Sequence, residues 1–436
     1  MIHILMLGFA FLLRYLSPHE ALLCAVGACL FNLFFLPRFG AHRIFREFES
    51  KPIRSGPFYY SISVLVLILL FPRQLYIVAA AWGVMALGDG SAGVCWISTT
   101  RLWIPWNPRK TFAGTIAFVL FGSIGASVLL FWTLPSFPQL HLSPATIIGL
   151  SCTVSLCCAI IESLPWKIND NLSVPLAAGL LFYLLIETSL LTMLRAYDFW
   201  IHLGVGLLIN ILLALIAWFF GWVRASGCLA GILIGTLIFG FQGWRGWAIL
   251  LCFFVFGSLS TQMGYDYKRQ LGISQTKRGA RGTREILANG IVPAALSILA
   301  AVADEGRLFL VGFTSALAAA TADTVSSEIG QWLGGEPFLV TNFARVPRGS
   351  NGAVTLKGTL AGVLAALTLS LIAFQLGLVD QTQVWLVQAA SLIGNLMDSF
   401  LGATIEGTEG INNEIVNFLN TLTGAGVGIA LGGWIQ

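Results

Sequence analysis

Apolar runs long enough to cross a lipid bilayer recur along the whole of this 436-residue chain. Inside hydrocarbon no water is present to satisfy backbone N–H and C=O groups, so such runs must close their hydrogen bonds within helices. Charged residues make up 10% of the sequence and hydrophobic ones 57%, where a soluble domain carries about 25% charge. The expected fold is an all-α polytopic integral membrane protein of about fifteen transmembrane or re-entrant helices in two bundles. The segments fall at 2–17, 20–37, 57–72, 74–88, 112–134, 146–164, 172–194 and 197–220, then at 227–241, 246–265, 287–303, 307–323, 353–377, 382–403 and 420–435. Several are short enough for half-spans. The first lacks the basic start and small-residue cleavage site of a signal peptide and is read as a retained span.

Threading these segments alternately puts the loops 38–56, 89–111, 165–171, 221–226, 266–286, 324–352 and 404–419 on one side. That side, with Lys357 at a span end, carries nineteen of the 24 lysines and arginines. The positive-inside rule makes it the cytoplasmic face, here of a bacterial-type inner membrane. A net charge of +4 is too small to point to nucleic acid. The eight cysteines show no CxxC spacing and sit mostly in apolar runs, so they read as small buried hydrophobes. Five scattered histidines support neither a histidine base nor a zinc site. A boundary near 196–225 divides the chain into 1–196 and 197–436.

Ionisable residues at membrane depth are costly, so clusters of them mark functional sites. The most pointed cluster, TADTVSSEIG at 321–330, closes an apolar run. On a helix Asp323 and Ser327 lie four apart on one face, as do Thr324 and Glu328. A carboxylate beside hydroxyls suits Mg²⁺ carrying phosphates. The chain then turns through Gly334 and Gly335, gathers Arg345 and Arg348, and passes Gly349, Ser350, Gly352, Lys357 and Gly358 into the next apolar run. Arginine neutralises phosphate, and glycine lets the backbone approach it. Asp398, Gly402 and Glu406 repeat the theme at the end of another segment. The basic loop from Lys268 to Arg284 either sets topology or folds Lys277, Arg278 and Arg281 around a phosphate.

The first half holds a weaker echo. Gly88-Asp89-Gly90 ends one apolar run, and Asn107-Pro108-Arg109-Lys110-Thr111 opens the next. Asp89 is a cation ligand in this reading, while Arg109 and Lys110 flank a helix start suited to an anion. Glu162, Asp170 and Asn171 surround a short turn and suit a metal, ribose hydroxyls or a base amine; a cap for the next helix is the plainer role for 169 or 170. Duplicated halves are common in membrane proteins, transporters included. The echo therefore indicates two stations rather than an activity. Neither GxxxxGK[ST] nor a kinase HRD/DFG set occurs.

Through GDGSAG, NPRKTFAGT and ESLP…NDNLSVPL, the first half resembles the CTP-dependent polyprenol kinases, the phytol kinase and dolichol kinase group related to phosphatidate cytidylyltransferase. It departs at Ala113, where that group has glutamate, and at Asn107 in place of serine. From about Gly221 onward the chain resembles the family that includes plant phytyl-phosphate kinase. The motifs are SGCLAG, KRGARG, ANG, ATADTVSSEIG, VPRGSNGAVTLKGT and GNLMDSFLGA. The joint resemblance implies two successive steps in the bilayer, prenol to monophosphate and monophosphate to diphosphate, with CTP as donor. It assigns Asp89 and Asp323 to Mg²⁺, with Glu162, Glu328 and Asp398 as further ligands or bases; Ser327 completes the metal set. Arg109, Lys110, Lys277, Arg278, Arg281 and Arg348 neutralise phosphate. Two alternatives remain open at this point: a cytidylyltransferase that leaves a CDP-lipid, and a two-repeat transporter of an anionic compound.

Overall fold

The computed structural model describes residues 2–36, 56–93, 102–105, 107–165, 169–275, 279–408 and 411–435. They are helical almost throughout, and the chain divides into two compact units, Met1–Thr188 and Ser189–Gln436. The first contains α1 (Ile2–Ala10), α2 (Pro18–Leu30), α3 (Gly56–Leu70), α4 (Leu75–Gly83), α5 (Phe112–Thr133), α6 (Pro144–Ser163) and α7 (Asp170–Ile186). The second contains α8 (Leu190–Arg195), α9 (Tyr197–Phe219), α10 (Ala225–Gln262), α11 (Tyr265–Gln270), α12 (Thr283–Val302), α13 (Gly306–Leu333), α14 (Leu356–Gln375), α15 (Gln381–Thr404) and α16 (Asn413–Ile435).

Among the described residues eleven helices are long and apolar enough to cross a membrane, fewer than the fifteen expected. The runs at 227–241 and 246–265 are the two arms of α10, which breaks between them at Gly243, whose φ of 64° and ψ of −165° are not helical and suit glycine. The segment 2–17 gives only the nine residues of α1 and a 3₁₀ turn. Likewise 57–72 gives the fifteen residues of α3, and 172–194 stops at Ile186, before the six residues of α8.

Each unit is built around a helix rich in small residues and enclosed on every side. In the first, Leu75 to Ala81 of α4 are all buried. In the second, every residue from Val311 to Ala322 of α13 is buried. Small side chains let neighbouring backbones approach, which is how helices associate where lipid offers no hydrophobic drive. At the α4–α5 crossing a β-carbon on Gly83 would lie 2.6 Å from the Gly125 carbonyl carbon. At the α13–α14 crossing one on Gly358 would lie 2.9 Å from the Gly330 α-carbon. Sequence reading ended the α13 segment at 323, but the helix continues to Leu333. Its 28 residues are about 42 Å long at 1.5 Å each, beyond the roughly 30 Å of a hydrocarbon core. Asp323 and Glu328 therefore sit within the helix rather than past its end.

Among the described residues two small antiparallel sheets interrupt the helices: β1 (Trp103–Ile104) with β2 (Asn107–Thr111), and β3 (Phe338–Leu339) with β4 (Ala353–Val354). Each leads into a helix capped by threonine. Thr111 accepts the Gly114 N–H at 3.1 Å to start α5, and Thr355 accepts the Gly358 N–H at 3.2 Å to start α14. The order is thus the same in both units: an enclosed helix bearing an aspartate, a short sheet, a threonine-capped helix, and then a helix with a carboxylate in its last two turns.

Candidate functional site

In the first unit α4 continues through a π-helical turn, Val84–Asp89, which carries Asp89. Such turns are frequent at functional sites. The carboxylate oxygens of Asp89, Glu162 and Asp170 lie within 4.8 Å of one another. Glu162, at the end of α6, has a side chain only 3% exposed. Lys110 of β2 is their counter-ion, with its Nζ 2.5 Å from Glu162 Oε1 and 3.2 Å from Asp170 Oδ2. Burial opposes the charge of Lys110, but Glu162 and Asp170 outweigh it and raise its pKa above the ordinary value. Asn107 fixes β2 by donating to the Ser163 carbonyl at 3.1 Å, a tie across to the end of α6.

The capping question left by the sequence is also resolved. Asn169 accepts the Asn171 N–H at 3.0 Å as the cap of α7, and Asp170 turns to Lys110. Asn171 is buried, and its Oδ1 has no hydrogen-bond partner among the described residues. The backbone of Arg109 lies in β2, but its side chain falls outside the described residues. The three carboxylates offer hard oxygen donors close together, which fit a divalent cation.

The second unit contains a polar cavity of about 230 Å³. α13 contributes Asp323, Ser326 and Ser327, α15 contributes Asn395 and Asp398, and the β3–β4 connection contributes Arg348, Gly349, Ser350 and Gly352. Asp323 and Asp398 lie side by side within hydrogen-bonding reach. Ser327 donates to Asp323 Oδ1 at 3.5 Å, the i to i+4 relation expected from the sequence. Asp398 Oδ1 is buried and makes no hydrogen bond among the described residues. Two adjacent buried carboxylates repel unless something positive lies between them. With a buried lone pair to spare and a hydroxyl beside them, they fit Mg²⁺. Glu406, also lining the cavity, has its pKa raised by burial and by Glu414.

Arg348 is held in place at the cavity wall. It donates to the Gly334 carbonyl at 2.5 Å and to the Tyr267 hydroxyl at 2.8 Å. A cation is favoured at the C-terminus of α13 for the dipole as well. Gly349 and Gly352, with φ of 84° and 68°, turn the chain along the cavity in a conformation that glycine adopts without strain.

Three expectations are corrected, for Glu328, Lys357 and Gly358. Glu328 is not an open ligand or base: its Oε2 sits 2.5 Å from Nζ of Lys268, and the two side chains are 4% and 1% exposed. Lys357 is exposed and does not line the cavity. Gly358 faces Gly330 and Ser326 of α13, so its missing side chain serves helix packing rather than phosphate approach. Arg281 belongs to a different, apolar cavity, its guanidinium 5.2 Å from the Phe253 ring centre. Burial pushes its pKa down to about 10, against the pull of Glu328 and Glu285. Lys277 and Arg278 lie outside the described residues. The sequence reading missed Lys268; nothing in residue type distinguishes it from its exposed neighbour Arg269.

The profile of the integral membrane protein family DUF92 matches residues 208–425, which include the whole of the polar cavity. The chain belongs to that family. Protein VTE6, chloroplastic, of Arabidopsis thaliana is 37% identical over 216 residues, 48% of this chain and 65% of VTE6. An uncharacterized membrane protein of Methanocaldococcus jannaschii is 35% identical over 231 residues, 53% of this chain and 94% of that relative. Phytol kinase 1, chloroplastic, of Arabidopsis thaliana is 33% identical over 141 residues, 32% of this chain and 46% of the kinase. The chain thus spans just under two thirds of VTE6 and less than half of the phytol kinase. No solved structure matches it.

Proposed function

We propose that this chain is a membrane-embedded isoprenoid kinase. Its second unit transfers the γ-phosphoryl group of CTP to an isoprenyl monophosphate, giving the diphosphate and CDP. Its first unit phosphorylates the alcohol, such as phytol, to the monophosphate. The observation that carries this reading is the pairing of Asp323 with Asp398 in a polar cavity, beside Arg348 and a glycine loop, on helices otherwise built for lipid. The relative named phytol kinase supports the substrate class. The lysine and arginine bias supports placing both stations on the cytoplasmic face of a bacterial-type membrane.

The division of labour follows from the nucleophiles. A monophosphate is largely dianionic near pH 7, its second pKa lying at about 6, so its oxygen attacks without a base. The second unit has only to position and neutralise, the main requirements of phosphoryl transfer. Asp323 and Asp398, with Ser327, would hold Mg²⁺, which when bound neutralises charge on the triphosphate. Arg348 and the loop from Gly349 to Gly352 face the phosphates. An alcohol, by contrast, must lose a proton. The first unit supplies carboxylates for this, Asp89, Glu162 and Asp170, around Lys110.

The test uses full-length protein purified in detergent with Mg²⁺, and CTP labelled on either the γ- or the α-phosphate. Transfer of γ-label to both phytol and phytyl phosphate is expected, with Asp323→Asn losing only the second product. Lipid carrying α-label would identify a cytidylyltransferase. No transfer from any nucleotide would sink the kinase reading and leave a transporter.

A further inference from the structure

The second unit holds another cavity, of about 100 Å³, between α9, α10 and α12. Its walls are apolar, formed by Leu213, Ala217, Ile234, Leu250, Phe253 and Ile286. Its two amides are already engaged: Asn210, deep along α9, accepts the Trp247 indole N–H at 3.0 Å and donates to the Gly206 carbonyl at 2.8 Å, and Asn289 donates to the Glu285 carbonyl at 3.1 Å. Near the ends of the same helices stands Arg281, tied by backbone hydrogen bonds to Trp222 and Arg224. Its guanidinium lies 5.2 Å and 5.7 Å from the ring centres of Phe253 and Phe254. Stacking of this kind holds a weakly hydrated cation in a fixed position.

Two acids act on Arg281 electrostatically, Glu328 and Glu285. Each has a nearer cation: Lys268 at 2.5 Å from Glu328, and Arg224 at 3.8 Å from Glu285. Among the described residues Arg281 itself makes no ion pair, so its charge is available to a ligand. Glu328, one of the two acids acting on Arg281, lines the polar cavity. An apolar slot ending in a stacked arginine is complementary to an apolar chain with an anionic head.

We propose that this cavity seats the head-proximal end of an isoprenyl monophosphate, its phosphate against Arg281. The choice of isoprenyl phosphate over other anionic lipids rests on the kinase reading of this unit. The rest of the chain would run along α9, much of whose surface is exposed apolar side chain. Gly231 gives the means of testing this. It lines the cavity, and a β-carbon there meets only Ile286 Cδ1, at 3.9 Å. A larger side chain would therefore fill the slot instead of striking backbone.

The experiment is photolabelling of the full-length protein in nanodiscs, without nucleotide, by an isoprenyl monophosphate carrying a diazirine near its head. Cross-links are expected on α9, α10 and α12, competed by unlabelled isoprenyl monophosphate and not by phosphatidic acid. Gly231→Phe should reduce labelling at least tenfold while Gly231→Ala keeps it. Leu250→Trp is a second way to fill the slot should the phenylalanine variant fail to fold. Arg281→Gln should weaken competition by the monophosphate at least tenfold, with competition by the alcohol unchanged. Cross-links confined to other helices, labelling indifferent to both filled variants, or equal competition by phosphatidic acid would overturn the proposal. The two readings fail separately. Cavity labelling in a protein that transfers no phosphate keeps this site and rejects the kinase; normal transfer kinetics in Gly231→Phe do the reverse.

Discussion

Glu328→Gln should leave the Lys268 ammonium buried without a counter-charge, among neutral acceptors such as the Thr261 carbonyl, 3.0 Å away. At the 2.5 Å separation of the native pair, attraction at an effective dielectric of about 20 is roughly 7 kcal/mol. Much of that offsets the desolvation of two ions that are almost wholly enclosed. Removing one partner of such a pair costs about 3–5 kcal/mol. At about 2–4 °C per kcal/mol for a domain of this size, unfolding should move down by about 6–20 °C. Replacing both ions, as Lys268→Met with Glu328→Leu, removes the stranded charge and should return stability to within about 1 kcal/mol of the parent. Thermal unfolding of the parent, Glu328→Gln and the double variant, each purified in detergent, reads these effects. Phosphate transfer by the same three proteins asks whether the pair is structural, in which case the double variant regains activity within a few-fold. An unchanged unfolding temperature in Glu328→Gln would refute the electrostatic argument. A stable but inactive double variant would return Glu328 to the catalytic set.

Three further outcomes are expected. Asp323→Asn and Asp398→Asn should lose at least a hundredfold in kcat with unfolding temperatures equal to the parent's or higher, because each relieves the repulsion of adjacent carboxylates. Mg²⁺ at a hundred times its dissociation constant should stabilise the parent by about 2.7 kcal/mol and these variants far less; equal stabilisation of all three would remove the aspartates from the metal site. Gly358→Ala places a methyl 2.8 Å from Thr355 Oγ1 and 2.9 Å from the Gly330 α-carbon, which should cost about 1–3 kcal/mol; a variant as stable as the parent would show that α13 and α14 have room to part. For Lys110, burial works against the charge, but Glu162 and Asp170 raise the folded pKa above the unfolded one. Its stabilisation is therefore complete below about pH 10.4 and fades only as pH rises through the folded value. Lys110→Met should thus be less stable than the parent at pH 8, and the gap should narrow as pH rises above about 10.4. A gap that stays the same from pH 8 into strong alkali would contradict this assignment.

The sequence by itself determined what depends on near neighbours and on solvent. Apolar runs demand helices in lipid, and 3.6 residues per turn puts Asp323 and Ser327 on one face wherever the helix ends. The echo between NPRKT and the VTLKG stretch also reflects a local device, a short strand leading to a threonine cap with glycine three residues on. Tertiary structure decided which charge meets which. Lys268 and Glu328 are 60 residues apart, and hydropathy cannot say that this lysine, and not Arg269, turns inward. Asp170 was legible as polar but not as a partner of Lys110, since that depends on where β2 crosses the start of α7. A glycine in a sequence signals that something comes close; at Gly358 it is the backbone of α13, at Gly352 the edge of a polar cavity. Helices are set by interactions within a turn, whereas a site is set by distances between turns far apart in the chain, and only packing fixes those.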